Sequence, residues 1–202
     1  MLYEDDDILI VYKPISMLVH PDGERCDTLI NAVANYYKNC NIYFTHLHRL
    51  DYETSGMIVI AKNIFSASYI SNEWENKNVT KEYVCLCKGV FGKKEDTISY
   101  DIKSDRHVNN KQVVIKSKIN DNIKTHYKVI ETKNNISKLI VRIDGGKKHQ
   151  IRAHLSSIMH PIIGDKIYGV DNHDRMMLEF YHIEFNHPRN QEKFVFEIDK
   201  EF

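Results

Sequence analysis

Residues 47–56 place His48, Arg49, Asp51 and Glu53 beside the hydroxyls of Thr54 and Ser55, immediately before the apolar run 57–61. Ionisable side chains on a loop anchored to a rigid strand are a common setting for catalysis. Asp51 has the chemistry of a nucleophile or general base, and Arg49 that of an anion binder or orienting group. The plain alternative is a solvated loop in which Asp51 caps a turn. A further alternative is a metal-dependent hydrolase using His46, His48 and Asp51, with His20 as a fourth donor. Histidines at i and i+2 need an extended or special loop to share an ion, and no second HxH or cysteine pair completes a shell, so no metal is expected.

Residues 145–154, GGKKHQIRAH, form a second candidate. Two glycines after a strand, then Lys147, Lys148, His149 and Gln150 at a helix start, suit a phosphate or an anionic strand. From Arg142 to Lys166 there are five Lys/Arg against two Asp/Glu. If the helix begins at His149, Arg152 can face a pocket while Ile151 and Leu155 face the core. The plain reading is a solvated helix face. This is not a Walker loop, because the GK[ST] ending is absent. A third candidate is Lys81 with Tyr83, which share one face of a strand. The tyrosine is either ordinary packing or a ring that stacks on a base.

Apolar runs at 8–12 and 17–19, the latter closed by Pro21-Asp22-Gly23, predict two strands. Asp27 or Thr28 caps a helix with Leu29, Ala32, Val33, Tyr36 and Tyr37 inward, ending near Asn39. The run 57–61 predicts a strand buried on both faces, and 66–76 a helix with Ala67, Ile70 and Trp74 on one side. Further strands are expected at 81–88, 98–102, 113–119, 125–131 and 139–143, with turns at Asn109-Asn110 and Asn120-Asp121-Asn122. A helix follows over 149–159, stopped by His160-Pro161, and two closing strands lie at 181–185 and 193–198. The pattern is α+β, read as one domain over residues 1–202.

The chain has 28 Lys+Arg and 28 Asp+Glu, a formal net charge of zero. That excludes an overall cationic nucleic-acid binder but leaves room for a local basic groove. No stretch approaches a membrane span, and the acidic start is unlike a secretory signal. Cys26, Cys40, Cys85 and Cys87 form no CxxC, which suits a reduced cytoplasmic chain.

Taken in order, these segments resemble the RluA family of RNA pseudouridine synthases. Lys13-Pro14 with Val19-His20-Pro21 is similar to the family's opening KPxGxxVHP. His48-Arg49-Leu50-Asp51 with Thr54-Ser55-Gly56 matches HRLDxxTSG, and Lys81 with Tyr83 matches KxY. His149-Gln150-Ile151-Arg152 with His154 matches HQIRxH. His160-Pro161-Ile162, Gly164-Asp165 and Tyr168-Gly169 match HPIxGDxxYG. The likeness continues to Phe185 and His187-Pro188.

The resemblance implies a pseudouridine-synthase-like domain: a mostly antiparallel mixed sheet, flanking helices and a central cleft. It implies that Asp51 attacks the target uridine, whose C1′–N1 bond breaks before the base turns and rejoins through C5. Arg49 would fill the space left by the flipped nucleotide. Tyr83 would contact the base and assist removal of the C5 proton. Arg152 would pair with Asp51, an arrangement that favours a charged carboxylate in a partly buried pocket. His48, Lys81, Lys147, Lys148, His149 and Gln150 are the expected RNA-binding residues. Extruding a base costs a few kcal/mol, which such contacts must offset.

The same resemblance implies no cofactor, structured ribosomal or transfer RNA as partner, no DNA, no membrane and a monomer. The chain departs from the family pattern at three places. Lys147 replaces an arginine and loses its bidentate fork, Glu179 replaces a histidine, and Ser16 replaces a glycine. An N-terminal S4 domain is not expected, so substrate choice would rest on the catalytic domain, notably residues 91–124, or on a partner. A catalytically silent RNA-binding protein is the remaining alternative.

Overall fold

The computed structural model describes residues 1–23, 27–38, 40, 42–105, 108, 111–169, 173–200 and 202. In chain order the elements are β1 (Tyr3–Glu4), β2 (Ile8–Lys13), α1 (Leu29–Tyr36), β3 (Thr45–His46), β4 (Ser55–Ala61) and α2 (Ile64–Glu75). Then come β5 (Thr80–Lys88), β6 (Glu95–Ile98), β7 (Tyr100–Ser104), β8 (Gln112–Ile119), β9 (Lys124–Lys133) and β10 (Ile136–Asp144). α3 (Gln150–Ser157), β11 (Leu178–Asn186) and β12 (Lys193–Glu197) complete the chain. The class is α+β, with strands that pair mostly antiparallel. The backbone divides into two compact units, Met1–Thr80 with Phe180–Ile198, and Lys81–Glu179 with Asp199–Phe202.

In the first unit the strand order is β1-β2-β4-β11, with β12 beside β11 and β3 beside β4. The apolar run 57–61 behaves as its composition dictates: all seven residues of β4 are buried. Gly56 has φ +122, and a Cβ there would stand 2.3 Å from the Phe180 carbonyl oxygen. Only glycine lets β4 and β11 approach this closely. Gly56→Ala is expected to cost about 2–5 kcal/mol through overpacking and backbone strain together. Urea unfolding of the variant measures that loss, and an unchanged midpoint would contradict it.

Thr28 caps α1 as expected, its hydroxyl accepting the Asn31 N–H. Asn39, the expected end of that helix, lies outside the described residues, as do Cys26 and the Asn109-Asn110 turn. The expected strand at 17–19 is absent; Leu18 makes only an isolated bridge to Thr28. The cause is Lys13. Its ammonium, fully buried, draws in the carbonyls of Pro14 and Met17, each at 2.9 Å. Ser16 turns at φ 59 to close that curl.

In the second unit the order is β5-β10-β9-β6, and β7 pairs with β8 as a separate hairpin. The single strand expected at 98–102 is two: β6 pairs with β9, and β7 with β8. Ser99 is the switch, its carbonyl taken by the Asn120 N–H at 2.7 Å. Cys85 and Cys87 lie on one buried face of β5 as free thiols with sulfurs 3.7 Å apart, and burial pushes the Cys87 thiol up.

Candidate active site

In the first unit the loop carrying Asp51 hangs from β4 at both ends. At its start the Leu47 N–H donates to the Val59 carbonyl, and the Val59 N–H donates to His48 Nε2 at 3.1 Å. The His48 ring stacks on Trp74 and meets Phe180 edge-on, with centroids 5.0 and 5.4 Å apart. His48, a residue expected at the RNA, ties the loop to β4 and α2. Leu50 is buried, Thr54 N–H donates to the Asp51 carbonyl, and Thr54 and Ser55 are buried where the loop enters β4. Between these anchors Asp51 is half-buried, while Arg49 and Tyr52 are exposed.

Lys13 supplies the third anchor. Its ammonium donates to the Tyr52 carbonyl at 3.3 Å. Burial pulls its pKa down to about 8, and the nearby charge of Asp51 acts in the opposite direction. A cation is therefore built in behind the Asp51 loop, out of contact with water.

His46, His48 and Asp51 do not converge on a common ion. Among the described residues, one group of donors lies close enough to share a metal: Asp5, Asp7 and His187. Its oxygens are already engaged. Asp7 accepts from Asn63, Ser66 and the Arg189 guanidinium, and Asp5 accepts from Tyr3, two backbone N–H groups and His187.

In the second unit Lys81 and Tyr83 share the buried face of β5. Lys81 donates to the Gly145 carbonyl at 2.9 Å, and burial lowers its pKa to about 8 against the pull of Asp144. Lys81 thus fixes the turn that leads into α3. Gly145, at φ +87, leaves room for the Asn122 carbonyl, which a Cβ would approach to 2.6 Å.

Gln150 is buried, and its side chain is fully used within the unit. Its amide donates to the carbonyls of Lys124 and Asp144, and its oxygen accepts the Lys147 N–H. This residue, expected at the RNA, pins β9, β10 and α3 together. His149 sits at φ 56 as the N-cap residue, with Nδ1 3.1 Å from the Tyr168 hydroxyl. Lys147 and Lys148 are exposed beside it. His154 is buried, with Nε2 against the Tyr100 carbonyl and Nδ1 against the Thr125 hydroxyl. A carbonyl only accepts, so Nε2 carries the proton, and burial lowers the pKa of the ring.

Arg152 is 2% exposed and forms a fork with Asp165, Nε to Oδ2 at 2.7 Å and Nη2 to Oδ1 at 2.8 Å. Burial pushes the Asp165 carboxyl up, but Arg152 and the N–H groups of Ile167 and Tyr168 hold it below the ordinary carboxylate range. In the sequence Asp165 stands out only within the Gly164-Asp165 match. It caps the turn that follows, and it also orients the arginine. Its Gly-Asp setting was the available signal, but nothing in spacing alone tied it to Arg152.

Both buried lysines set one pH dependence. The unfolded chain keeps these protons up to the ordinary value of 10.5, whereas the folded chain releases them near 8. The unfolded state binds more protons in between, so folding stability rises from about pH 8 toward pH 10. Urea titrations at the two ends of that interval measure the rise, and Lys13→Met should flatten part of it. Falling stability over the interval would contradict the burial of these ammonium groups.

A family model described as RNA pseudouridylate synthase matches residues 7–157. The chain belongs to the RNA pseudouridylate synthase family. That match holds both the Asp51 loop and the whole of α3. Relatives include an uncharacterized RNA pseudouridine synthase of Aquifex aeolicus, 34% identical over 220 residues, covering 99% of this chain and 69% of that protein. The ribosomal large subunit pseudouridine synthase D of Haemophilus ducreyi is 32% identical over 179 residues, covering 84% of this chain. The chain spans about half the length of that relative, 52%.

Among solved structures, human RNA Pseudouridylate Synthase Domain Containing 1 superposes with a TM-score of 0.80 at 26% identity, over 98% of this chain and 82% of its own. Human RNA Pseudouridylate Synthase Domain Containing 4 gives 0.78 at 19% identity, over 98% and 87%, and shares the fold. Within this synthase fold, Glu179, the departure at the family's histidine, is fully buried.

Proposed function

We propose that this chain isomerises specific uridines to pseudouridine in structured ribosomal or transfer RNA, in the cytoplasm and without a cofactor. Asp51 is the nucleophile. It attacks C1′ and displaces N1, the base turns, C5 attacks C1′ and releases the carboxylate, the C5 proton leaves, and N1 takes up a proton. Tyr83 contacts the base and assists that proton removal, Arg152 pairs with the nucleophile, and Arg49 occupies the space vacated by the nucleotide. Lys147 and Lys148, both exposed, take phosphates; such contacts position RNA, while loop shape and base edges select it.

The observation that carries this reading is the mounting of Asp51. A half-buried carboxylate stands between two exposed side chains, on a loop tied to β4 at both ends and to a buried ammonium from behind. A loop that served only as a solvated connection gains nothing from three anchors, whereas a nucleophile needs a fixed position. The free thiols of Cys85 and Cys87 support a reducing compartment. Among the described residues no helix is long and apolar enough to cross a membrane.

The test is to map pseudouridine across cellular RNA with the intact gene and with the gene removed. One or a few sites should vanish on removal and return on complementation. An unchanged map would defeat the proposal in the cell.

A further inference from the structure

Several groups of the second unit converge on Tyr168, a side chain to which the reaction above assigns no part. Its backbone N–H donates to Asp165, the carboxylate that holds Arg152. The Arg152 guanidinium carbon lies 5.4 Å from the centroid of its ring, and Lys111 Nζ lies 5.9 Å from the same centroid. Its hydroxyl accepts the Gln112 backbone N–H at 2.7 Å and stands 3.1 Å from His149 Nδ1. Gln112 pairs with Ser104 at the loop end of the β7–β8 hairpin. That hairpin displays Lys103, Lys116 and Lys118 as exposed side chains. One residue thus touches the hairpin through its hydroxyl and the buried arginine through its ring.

We propose that Tyr168 is a positioning residue that sets the β7–β8 hairpin for RNA and the Arg152 guanidinium for the reaction, each with a different part of its side chain. This rests on the reading of the chain as a pseudouridine synthase. A cation over an aromatic face is attracted to that face by the ring quadrupole. A strand-end N–H bonded to a hydroxyl is a weak, local latch that opens without unfolding the unit. RNA phosphates arriving at the hairpin lysines then meet a hairpin whose end is held at the start of α3.

Two substitutions separate the two parts. Tyr168→Phe keeps the ring and removes the latch. Gln112 amide exchange should accelerate, and KM for RNA carrying tritium at uridine C5 should rise about three- to tenfold, the loss expected for one hydrogen bond. kcat should stay within about twofold, because the ring still faces Arg152. Tyr168→Leu removes both parts, so kcat should also fall, by about tenfold or more. Unchanged thermal unfolding of Tyr168→Phe shows that its effect is not loss of fold.

An active wild type whose Tyr168→Phe variant leaves Gln112 exchange or KM unaltered overturns the latch. Tyr168→Leu with an unchanged kcat overturns the role of the ring. A wild type that releases no tritium from any RNA overturns the functional reading, and this proposal with it.

Discussion

Asp51→Asn is expected to reduce pseudouridine formation by at least about 10⁴-fold, the scale of loss when a nucleophile is removed. The amide has nearly the size of the carboxylate but is not a competent nucleophile at carbon. Two anchors of the loop use main-chain carbonyls, which the substitution leaves in place: Thr54 N–H donates to that of residue 51, and Lys13 donates to that of Tyr52. The fold and the RNA affinity should therefore survive, with Kd changed by less than about threefold. Filter binding of RNA alongside tritium release reads both quantities. A silent RNA-binding protein would show no turnover in either form. Substantial residual turnover in the variant would move the nucleophile elsewhere.

Asp165→Ala is expected to destabilise the protein by about 3–5 kcal/mol, because it strips the bidentate partner from a buried guanidinium. Arg152 is 2% exposed and Asp165 is 1% exposed, so water cannot replace the lost carboxylate without opening the unit. The turn after it also loses an acceptor for the N–H groups of Ile167 and Tyr168. Replacing the pair together, Arg152→Met with Asp165→Leu, should recover much of the stability, as buried ion pairs exchanged for apolar groups often do. Activity should not return with it, because Arg152 is gone. Chemical denaturation and tritium release on the single and double variants give the two answers. Recovery of activity in the double variant would reduce Arg152 to a structural residue.

The sequence was most legible where one physical demand dominated. An apolar run without a polar break has to be buried on both faces, and β4 is buried throughout. Thr28 before a periodic apolar stretch has to satisfy a helix N-terminus, and it does. Local composition misleads where a distant group intervenes. Met17 and Leu18 have strand-like composition, but the buried Lys13 ammonium recruits their stretch of backbone instead. Residues 98–102 look like one strand because neither pairing partner is local; β6 and β7 join different strands.

At the candidate site the Asp51 loop stood out by composition, because four ionisable groups border an apolar strand. The polar residues of α3 were harder to place. Gln150 and His154 have the chemistry of RNA contacts, yet each is buried and bonded to main chain or hydroxyl groups from β7 or β9. Residue type does not distinguish a satisfied buried polar group from one that waits for a ligand. Only the position of its partners does, and Asp165 stands 13 residues beyond Arg152.

Tritium release from RNA labelled at uridine C5, using the purified chain and RNA from cells that lack it, tests the role of Asp51 most directly. Isomerisation replaces the C5–H bond by the glycosidic bond, so each pseudouridine formed should release one tritium, with or without a chelator present. RNA that binds the chain yet keeps all of its label, and shows no new pseudouridine, would contradict the claim that Asp51 is a working nucleophile.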